Sequence, residues 1–568
     1  MHALRSRFVF SLVTCTLGWI IPAVVQAAPA DAIPSTACVV IKLKSPDATL
    51  EKLADYVDEV QTGVGAIVRG AKNQLGEAFG NPGLKGVDPT QDIFIVVFAE
   101  PQVPPTVVFV MTAKDVDNVK DALQSQFEIH SSGKVIAYST DEDALEEVRK
   151  RMDGEGKPVW SRIDPASKKL FDSADASILV NIKQLAEDFS DELEQAEPQL
   201  NAFIDRIQEI IPEEQKSQVT AAFEMYRVMG AGVLSGVRDS NSLVMGLSVS
   251  STEIRYDDRL QVNEGTATAK ALAGQPAGDL NLVNRLPAGK AIYAGMNLDL
   301  SGMIEMSFNI SRDTMSRGLT EEQSKRMESA MKKVISEKSK EISMYMDVAG
   351  ETQVLRIGGV NVVQSPQALR DASRELMKVM GDTKIKTPQF TQTSKLEIDA
   401  EKIGSATVDR VTTRFEYSDA ADPTGIQQKI VKAMMGEAGM TQRILYQPNR
   451  IVQITGGDKA EFEELVKSLD TVPAKNSPAI VARKQFDEKT NLLALVDVSR
   501  LTLGILKAIA ANNKDAPINV EELSGLKLEP SFLGYSLTLE PNGAKSRLVV
   551  PVALIKNINQ IVNAAANR

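Results

Sequence analysis

Histidine, cysteine and tryptophan each occur only twice in this chain of 568 residues. The histidines are His2 and His130, and the cysteines are Cys15 and Cys38. Zinc sites built from cysteine and histidine need about four such ligands close together, and only His130 and Cys38 lie outside a predicted export signal, so their number excludes such a site. A serine–histidine–acid site would have to use His130, because His2 belongs to a predicted export signal. This scarcity is our main reason to expect a non-catalytic protein.

Nucleotide-binding loops and a basic surplus are also missing. The chain has no Gly-x4-Gly-Lys-Ser/Thr motif and no Gly-x-Gly-x-x-Gly motif after a strand. It carries 64 Lys and Arg against 75 Asp and Glu, a net charge of −11. Nucleic-acid binding requires a basic surface, so we expect no nucleic-acid partner. With 43% hydrophobic and 24% charged residues, the composition is typical of folded globular domains.

The first residues predict an export signal. Arg5 and Arg7 precede the apolar stretch Phe8–Val25, and the small residues that follow predict cleavage between Ala27 and Ala28. The alternative is an uncleaved membrane anchor, because the stretch is at the lower end of the roughly 17–25 residues that span a bilayer. We expect a cleaved, exported protein that is periplasmic or extracellular, with no membrane span after cleavage.

Cleavage would leave one cysteine and one histidine, which excludes an internal disulfide. Cys38 lies in the apolar string Ala37–Ile41, so we interpret it as a small buried hydrophobic residue. A reactive or intermolecular thiol is the alternative. His130 lies in Phe127–Gly133, where we expect a strand end that enters an exposed turn.

Alternating strand and helix patterns predict an α+β fold. In the first part of the chain, apolar runs predict strands at Ala37–Leu43, Ile93–Ala99, Thr106–Met111 and Val135–Ser139, separated by two helical regions and one hairpin. This order matches a βαββαβ, ferredoxin-like unit. Strands that follow one another without a helix between them predict an antiparallel or mixed sheet with helices packed on one face.

Similar blocks recur along the chain and predict a tandem duplication. Lys134–Ser139 resembles Arg450–Thr455, and Ala176–Leu185 resembles Leu492–Leu501 at the same offset of about 316 residues. We therefore expect two similar halves, each with two strand–helix modules. The predicted boundaries are 1–27 for the signal and 28–165, 170–280, 286–472 and 485–568 for the modules.

Carboxylates remain as candidates for chemistry. A carboxylate-based hydrolase needs two acids about 5–10 Å apart, and the sequence alone selects no such pair. We interpret Asp257 and Asp258 as turn residues of a predicted hairpin. Glu187–Glu214 contains ten acids and one base, which predicts a solvated helix face or, alternatively, a docking surface for a cationic partner. The methionines between Met303 and Met346 are typical of core filling, with a malleable binding groove as the alternative.

Several motifs resemble one known family. They are Ile33-Pro34 before a Cys-containing strand, Gly86–Phe94 before a proline-split hairpin, Gly133–Leu145 and Ala174–Asn181. Together they resemble an uncharacterised family of large secreted bacterial proteins, classed as a domain of unknown function. The resemblance covers mainly residues 33–277 and implies no catalytic residues.

Taken together, the sequence predicts a non-catalytic secreted or periplasmic protein that binds a partner or ligand. The alternatives are a carboxylate-based hydrolase and a carrier of lipids or other hydrophobic ligands. We assign no catalytic, cofactor-binding or metal-binding residue and expect no cofactor.

Overall fold

The computed structural model describes residues 28–566 except 124, 126, 316–318, 349–353, 382–384, 387–389, 418–427, 429–430, 432–433, 437–438 and 513–518. The predicted signal at 1–27, with Ala27 of the cleavage site, lies outside the described residues. Most of a helix that we predicted over Gly425–Met434 lies outside them as well.

The chain divides into two compact units. Unit 1 contains the described residues up to Ala48 together with Gly70–Arg162, and unit 2 contains Thr49–Arg69 together with the described residues from Ile163 onward. The helices α1 (Pro46–Val60) and α2 (Gly65–Gly70) carry the chain from one unit to the other. The predicted module boundaries stay predictions.

Unit 1 contains a small antiparallel sheet. Its strands are β1 (Val39–Leu43), β2 (Ile93–Phe98), β3 (Thr106–Thr112), β4 (Glu128–Ser132) and β5 (Val135–Ser139). They pair in the order β4–β5–β3–β2–β1, with every neighbour antiparallel. A ferredoxin-like unit splits its βαβ pair with another strand, whereas here β1 pairs directly with β2. The strand β4 lies where we had expected a strand end and a turn. It pairs with the edge of β5 that β3 leaves open, so no edge of β5 remains for β1.

Helices and aromatic side chains complete unit 1. The helices are α3 (Lys72–Ala78), α4 (Val116–Ala122) and α5 (Glu142–Met152). Tyr138 lies in the core of this unit, and its hydroxyl donates a hydrogen bond to the carbonyl of Phe79 at 2.7 Å. Cys38 is 1% exposed, which confirms its interpretation as a buried residue.

Unit 2 contains a longer antiparallel ladder. Its strands, in chain order, are β6 (Ala176–Val180), β7 (Ser240–Val249), β8 (Glu253–Val262), β9 (Ile292–Met296), β10 (Ser339–Val348), β11 (Leu355–Val363), β12 (Ile385–Lys386), β13 (Phe390–Ile403), β14 (Ala406–Tyr417), β15 (Met440–Gln447), β16 (Arg450–Thr455), β17 (Leu492–Val496), β18 (Leu533–Glu540) and β19 (Gly543–Pro551). They pair in the order β6–β7–β8–β19–β18–β17–β9–β10–β11–β16–β15–β14–β13–β12. The predicted α+β class is therefore confirmed, and the sheet, predicted as antiparallel or mixed, is large and antiparallel.

Besides most of α1 and α2, unit 2 contains further helices between and after its strands. They are α6 (Pro165–Ser173), α7 (Ile182–Asp188), α8 (Ser190–Ile210), α9 (Glu213–Asp239), α10 (Ala267–Ala273), α11 (Ser301–Met315), α12 (Glu321–Ser336), α13 (Pro366–Gly381), α14 (Lys459–Leu469), α15 (Pro478–Arg483), α16 (Val498–Asn512), α17 (Val520–Gly525) and α18 (Val552–Ala566). Within the described ranges, none of the helices is both long enough and apolar enough to cross a bilayer.

The core of unit 2 depends on close contacts between strands. Tyr293, Tyr345, Phe462 and Leu493 belong to one buried cluster. Tyr345 on β10 lies opposite Gly358 on β11. A Cβ atom at Gly358 would lie 2.3 Å from the ring of Tyr345, so only glycine leaves room for this ring. The methionines are divided between core and surface: Met327 is 1% exposed and Met303 is 63% exposed.

The substitution Gly358→Ala should lower the free energy of unfolding by roughly 1–3 kcal/mol, because the added methyl group overpacks the core against a buried ring. The matched control is Gly302→Ala on α11, where an added Cβ would meet nothing within 4 Å. Alanine there should stabilise the helix by roughly 0.5–1 kcal/mol. Chemical unfolding of the two variants checks this, and equal effects would contradict it.

Candidate functional site

A cleft of about 350 Å³ lies over the seam between β8 and β19 in unit 2. The two strands pair antiparallel with Asp257 opposite Arg547. Because side chains alternate along a strand, Arg255, Asp257 and Arg259 of β8 share one face with Lys545 and Arg547 of β19. These five charged side chains form the floor of the cleft.

One wall of the cleft is the short helix α6. Its first turn is held by Asp164, whose Oδ1 accepts hydrogen bonds from the backbone N–H groups of Ala166 and Ser167 at 2.8 and 3.0 Å. The helix lies close to β7 at Gly246, where a Cβ atom would come within 3.0 Å of Cδ1 of Leu170. This close approach brings the exposed side of α6, including Lys169, to the edge of the cleft.

The opposite wall is the segment that follows α15. Phe486 packs on Gly534 of β18, where a Cβ atom would lie 2.3 Å from the phenyl ring. The next residue, Asp487, lines the cleft together with Ser536 and Thr538 of β18. Two glycines thus allow two covering elements to approach the sheet, and the cleft is the gap between them.

Asp257 is the central charge of the floor. It is 9% exposed, and its carboxylate accepts hydrogen bonds from Nε of Arg547 at 2.6 Å and from Nε of Arg255 at 2.9 Å. Arg547 also donates through Nη1 to the carbonyl of Gln485 at 2.8 Å. A buried carboxylate is costly unless it is paired, and two guanidinium groups supply that pairing here.

A second group of ion pairs surrounds Glu540 at the end of β18. Its carboxylate lies 2.8 Å from Nη1 of Arg259 and 3.2 Å from Nζ of Lys545. Lys545 also contacts Asp487 at 2.7 Å, and Arg259 lies 3.5 Å from Asp164. The floor is therefore a network in which the acids hold the cations in place.

The pKa values of two network members reflect this pairing. Burial acts to lower the pKa of Lys545, but the hydrogen bonds and charges of Asp487 and Glu540 outweigh it, so its pKa is raised. Burial acts to raise the pKa of Asp164, but hydrogen bonds from Ser167 and Ala166 and the charge of Arg259 lower it overall. Both groups are thus held in their charged forms.

Two cationic side chains at the cleft, Arg255 and Lys169, have N–H donors that remain available. Arg255 uses Nε for Asp257, and its other guanidinium N–H groups make no hydrogen bond or ion pair with a described residue. Its side chain is 41% exposed. Lys169 on α6 likewise forms no ion pair with any residue that the structure describes. Both open positions are cationic, so they favour an anion.

The structure corrects our interpretation of Asp257 and Asp258. We predicted a turn, but both residues lie within β8. Asp258 accepts a hydrogen bond from the Ser546 hydroxyl at 2.5 Å, and it follows Asp257 directly, so the two carboxylates point to opposite faces. Two adjacent acids are typical of an exposed turn. Asp257 can instead lie buried in a strand because Arg547 neutralises it, and Arg547 is too remote in the chain to give a local signal.

His130 is not in a turn either. It lies within β4 opposite Ala137 of β5, and its Nε2 is 4.0 Å from Asp153 without a hydrogen-bond partner among the described residues. Its side chain is 26% exposed. In the part of the chain that the structure describes, no group of three or more His, Cys, Asp and Glu side chains is arranged to hold a metal ion.

Two acids with raised pKa values lie outside the cleft lining. Burial raises the pKa of Asp497, whose carboxylate accepts a hydrogen bond from the backbone N–H of Arg500 at 2.9 Å at the start of α16. Burial also raises the pKa of Glu341, which accepts a hydrogen bond from the backbone N–H of Leu282 at 2.7 Å. Each carboxylate accepts a hydrogen bond from a backbone N–H group and helps to fix that backbone.

Comparison with known proteins gives no relative for this chain: no protein-family description, no curated protein and no solved structure matches it.

The substitution Asp257→Asn should lower the free energy of unfolding by roughly 1–3 kcal/mol, because it removes the charge that two arginines share. Chemical unfolding at neutral pH measures this. The matched control is Glu463→Gln on α14, whose ion pair with Lys459 is exposed; its effect should stay within about 0.5 kcal/mol. Equal losses in both variants would contradict a special role of Asp257.

The substitution Asp164→Asn should destabilise unit 2 at neutral pH, and the difference should disappear in acid. Because the native pKa of Asp164 lies below its ordinary value of 3.8, ionised Asp164 stabilises the fold above that value. This contribution is lost as the pH falls through the native pKa. Urea unfolding of both proteins from about pH 7 to about pH 2 measures the difference. A difference that persists at the lowest pH would contradict the assignment.

Proposed function

We propose that this chain is an exported, non-catalytic binding protein, and that the cleft over the β8–β19 seam takes a small polar ligand with an acidic group. The proposal rests on the contrast between paired and unpaired charged side chains in the cleft. Most of its charges are held in a network around Asp257 and Glu540, whereas Arg255 and Lys169 retain unused donors. Charge-assisted hydrogen bonds from these donors would bind a carboxylate or phosphate.

The pairing of Asp257 supports binding over hydrolysis. A carboxylate hydrolase needs two acids that are both free to act on the substrate. The carboxylate of Asp257 is already engaged by hydrogen bonds from two arginines. The charged lining of the cleft likewise gives little support to the carrier of hydrophobic ligands.

Two similar halves remain part of the proposal, and strand order supports them. The order β15–β16–β11–β10–β9 repeats β4–β5–β3–β2–β1. The modules around β6–β7–β8 and β17–β18–β19 also have the same order. In the proposed duplication, β8 belongs to the second module of the first half and β19 to the second module of the second half. The seam between β8 and β19 is then where these two equivalent modules meet.

Equivalent hydrogen bonds support the duplication further. The backbone N–H of Asp175 donates to the carbonyl of Leu247, and its carboxylate accepts from the backbone N–H of Val249 at 2.8 Å. Asn491 makes the same pair of bonds, to the carbonyl of Leu537 and from the N–H of Leu539, the second also at 2.8 Å. The predicted signal and the family resemblance complete the proposal of an exported protein.

Thermal unfolding tests the ligand class. O-phosphoserine and N-acetylglycine should raise the midpoint of unfolding by a few degrees, whereas N-acetylglycinamide should not, because it is the uncharged amide of N-acetylglycine. At a ligand concentration ten times Kd, binding stabilises the native state by about 1.4 kcal/mol. Mass spectrometry of the incubated ligands would detect turnover, which would favour the hydrolase instead.

The pair of lysines on α6 offers a matched control for the same assay. Lys169→Gln should abolish the ligand-induced shift, and Lys168→Gln should retain it, because Lys168 pairs with Asp172 and does not line the cleft. A shift that is equal in both variants, or the absence of any shift with the native protein, would overturn the cleft as the binding site.

A further inference from the structure

The strand β4 forms an uncovered edge of the sheet in unit 1. It pairs with β5 over its whole length, and it pairs with no other strand that the structure describes. An edge strand exposes a row of backbone N–H and C=O groups that can pair with another chain. The side of β4 that faces away from β5, which we call the open edge, is therefore a surface on which a further strand could bind.

The backbone groups on the open edge can be identified from the hydrogen bonds of the sheet. The carbonyl of Lys134 accepts a hydrogen bond at 2.8 Å from the backbone N–H that follows β3, so the backbone groups of Lys134 point toward β3. Because this direction alternates along an antiparallel strand, the groups of Ala137 point toward β4, where Ala137 lies opposite His130. His130 thus pairs with β5, and its neighbours Ile129 and Ser131 direct their N–H and C=O groups to the open edge.

Most edge strands are protected against pairing, and β4 lacks the usual devices. Natural edges carry lysine or proline, contain a bulge, or are very short. In the described part of unit 2, the last strand of the ladder follows this rule, because β12 has only two residues and one of them is Lys386. The strand β4 has five residues, with no lysine, no proline and no shift in its register.

The corresponding edge in unit 2 is covered by a strand. The strands β15 and β4 have the same place in the strand order that the two units share, and each joins the next strand through a two-residue loop. The other edge of β15 pairs antiparallel with β14, where Asp409 lies opposite Ile444. The strand β14 belongs to the segment 364–439, whereas only 113–127 connect β3 to β4. Unit 1 therefore has no described strand for this place, and an antiparallel strand from elsewhere would fit it.

We infer that the open edge of β4 docks an extended segment of a partner protein as an additional antiparallel strand. Backbone hydrogen bonds to Ile129 and Ser131 supply the affinity, which is the β-augmentation mode. Ile129 lies opposite Tyr138 and packs against the core of unit 1. An apolar side chain opposite Ile129 extends this core, and side chains alternate between the two faces of a strand. The segment that docks therefore alternates apolar and polar residues.

The inference does not depend on the cleft, because Ile129 and Ser131 do not line it. A designed peptide tests it. The probe is a short capped peptide in which valine and threonine alternate, two residue types that favour strands. Fluorescence anisotropy should show that it binds the mature protein. His130 is the only histidine in residues 28–568, so the NMR signals of histidine-labelled protein report on β4 alone, and they should shift as the peptide is added.

Methylated versions of the probe provide the matched control. Two residues that lie opposite each other share one face, so a valine opposite Ile129 directs its backbone groups toward β4. The N–H groups of the valines then point toward the open edge, and those of the threonines point away from it. N-methylation of the valines should weaken binding at least ten-fold, whereas N-methylation of the threonines should leave the affinity unchanged.

Two variants of one residue make the same test on the protein. Ser131→Pro removes an N–H group of the open edge, and proline is tolerated in an edge strand where the N–H faces solvent. It should weaken binding of the unmodified probe at least ten-fold. Ser131→Ala keeps the N–H group and should bind the probe as the native protein does. Thermal unfolding of both variants shows whether the fold is retained, and the methylated probes do not depend on that outcome.

Four results would overturn the inference. Three of them are a failure of the unmodified probe to bind, equal affinity of the two methylated probes, and binding that leaves the His130 signals in place. The fourth is a dimer of the native protein, seen by sedimentation velocity, that Ser131→Pro dissociates, in which case a second copy covers the open edge. A monomer that binds the probe through the valine N–H groups and shifts the His130 signals supports the inference.

Discussion

The pairing of β8 with β19 is the contact on which the candidate site depends. The two strands are far apart in sequence, Glu253–Val262 and Gly543–Pro551, so their pairing must offset a large loss of chain entropy. It fixes Asp257 opposite Arg547 and thereby assembles a charged floor that neither strand has alone. The helix α6 and the segment after α15 approach the sheet closely at Gly246 and Gly534, and the cleft is the gap between them.

Local patterns in the sequence predicted strands and helices, but they did not predict which charged side chains on different strands would pair. The boundaries of β5, predicted at Val135–Ser139, followed from its apolar pattern. The strand β4 was missed, because His130 and its serine neighbours resemble a turn. Asp257 was misread for a related reason: its burial is stabilised by Arg547, and a partner so remote leaves no local signal.

The arrangement of side chains on the surface likewise depends on contacts that leave no local signal in the sequence. The sequence singled out the acidic segment Glu187–Glu214 and predicted a solvated helix face or a docking surface. It could not show that Phe203 and Tyr226 come to one side of a helix pair, because that depends on the contact between Leu200 and Gly230.

A crystal structure of the mature protein grown with O-phosphoserine tests the central claim most directly. The account predicts the phosphate in the cleft over the β8–β19 seam, within hydrogen-bond distance of Arg255 and Lys169, with Asp257 still held by Arg547. An empty cleft at a saturating concentration of the ligand, or a phosphate bound only elsewhere, would contradict it.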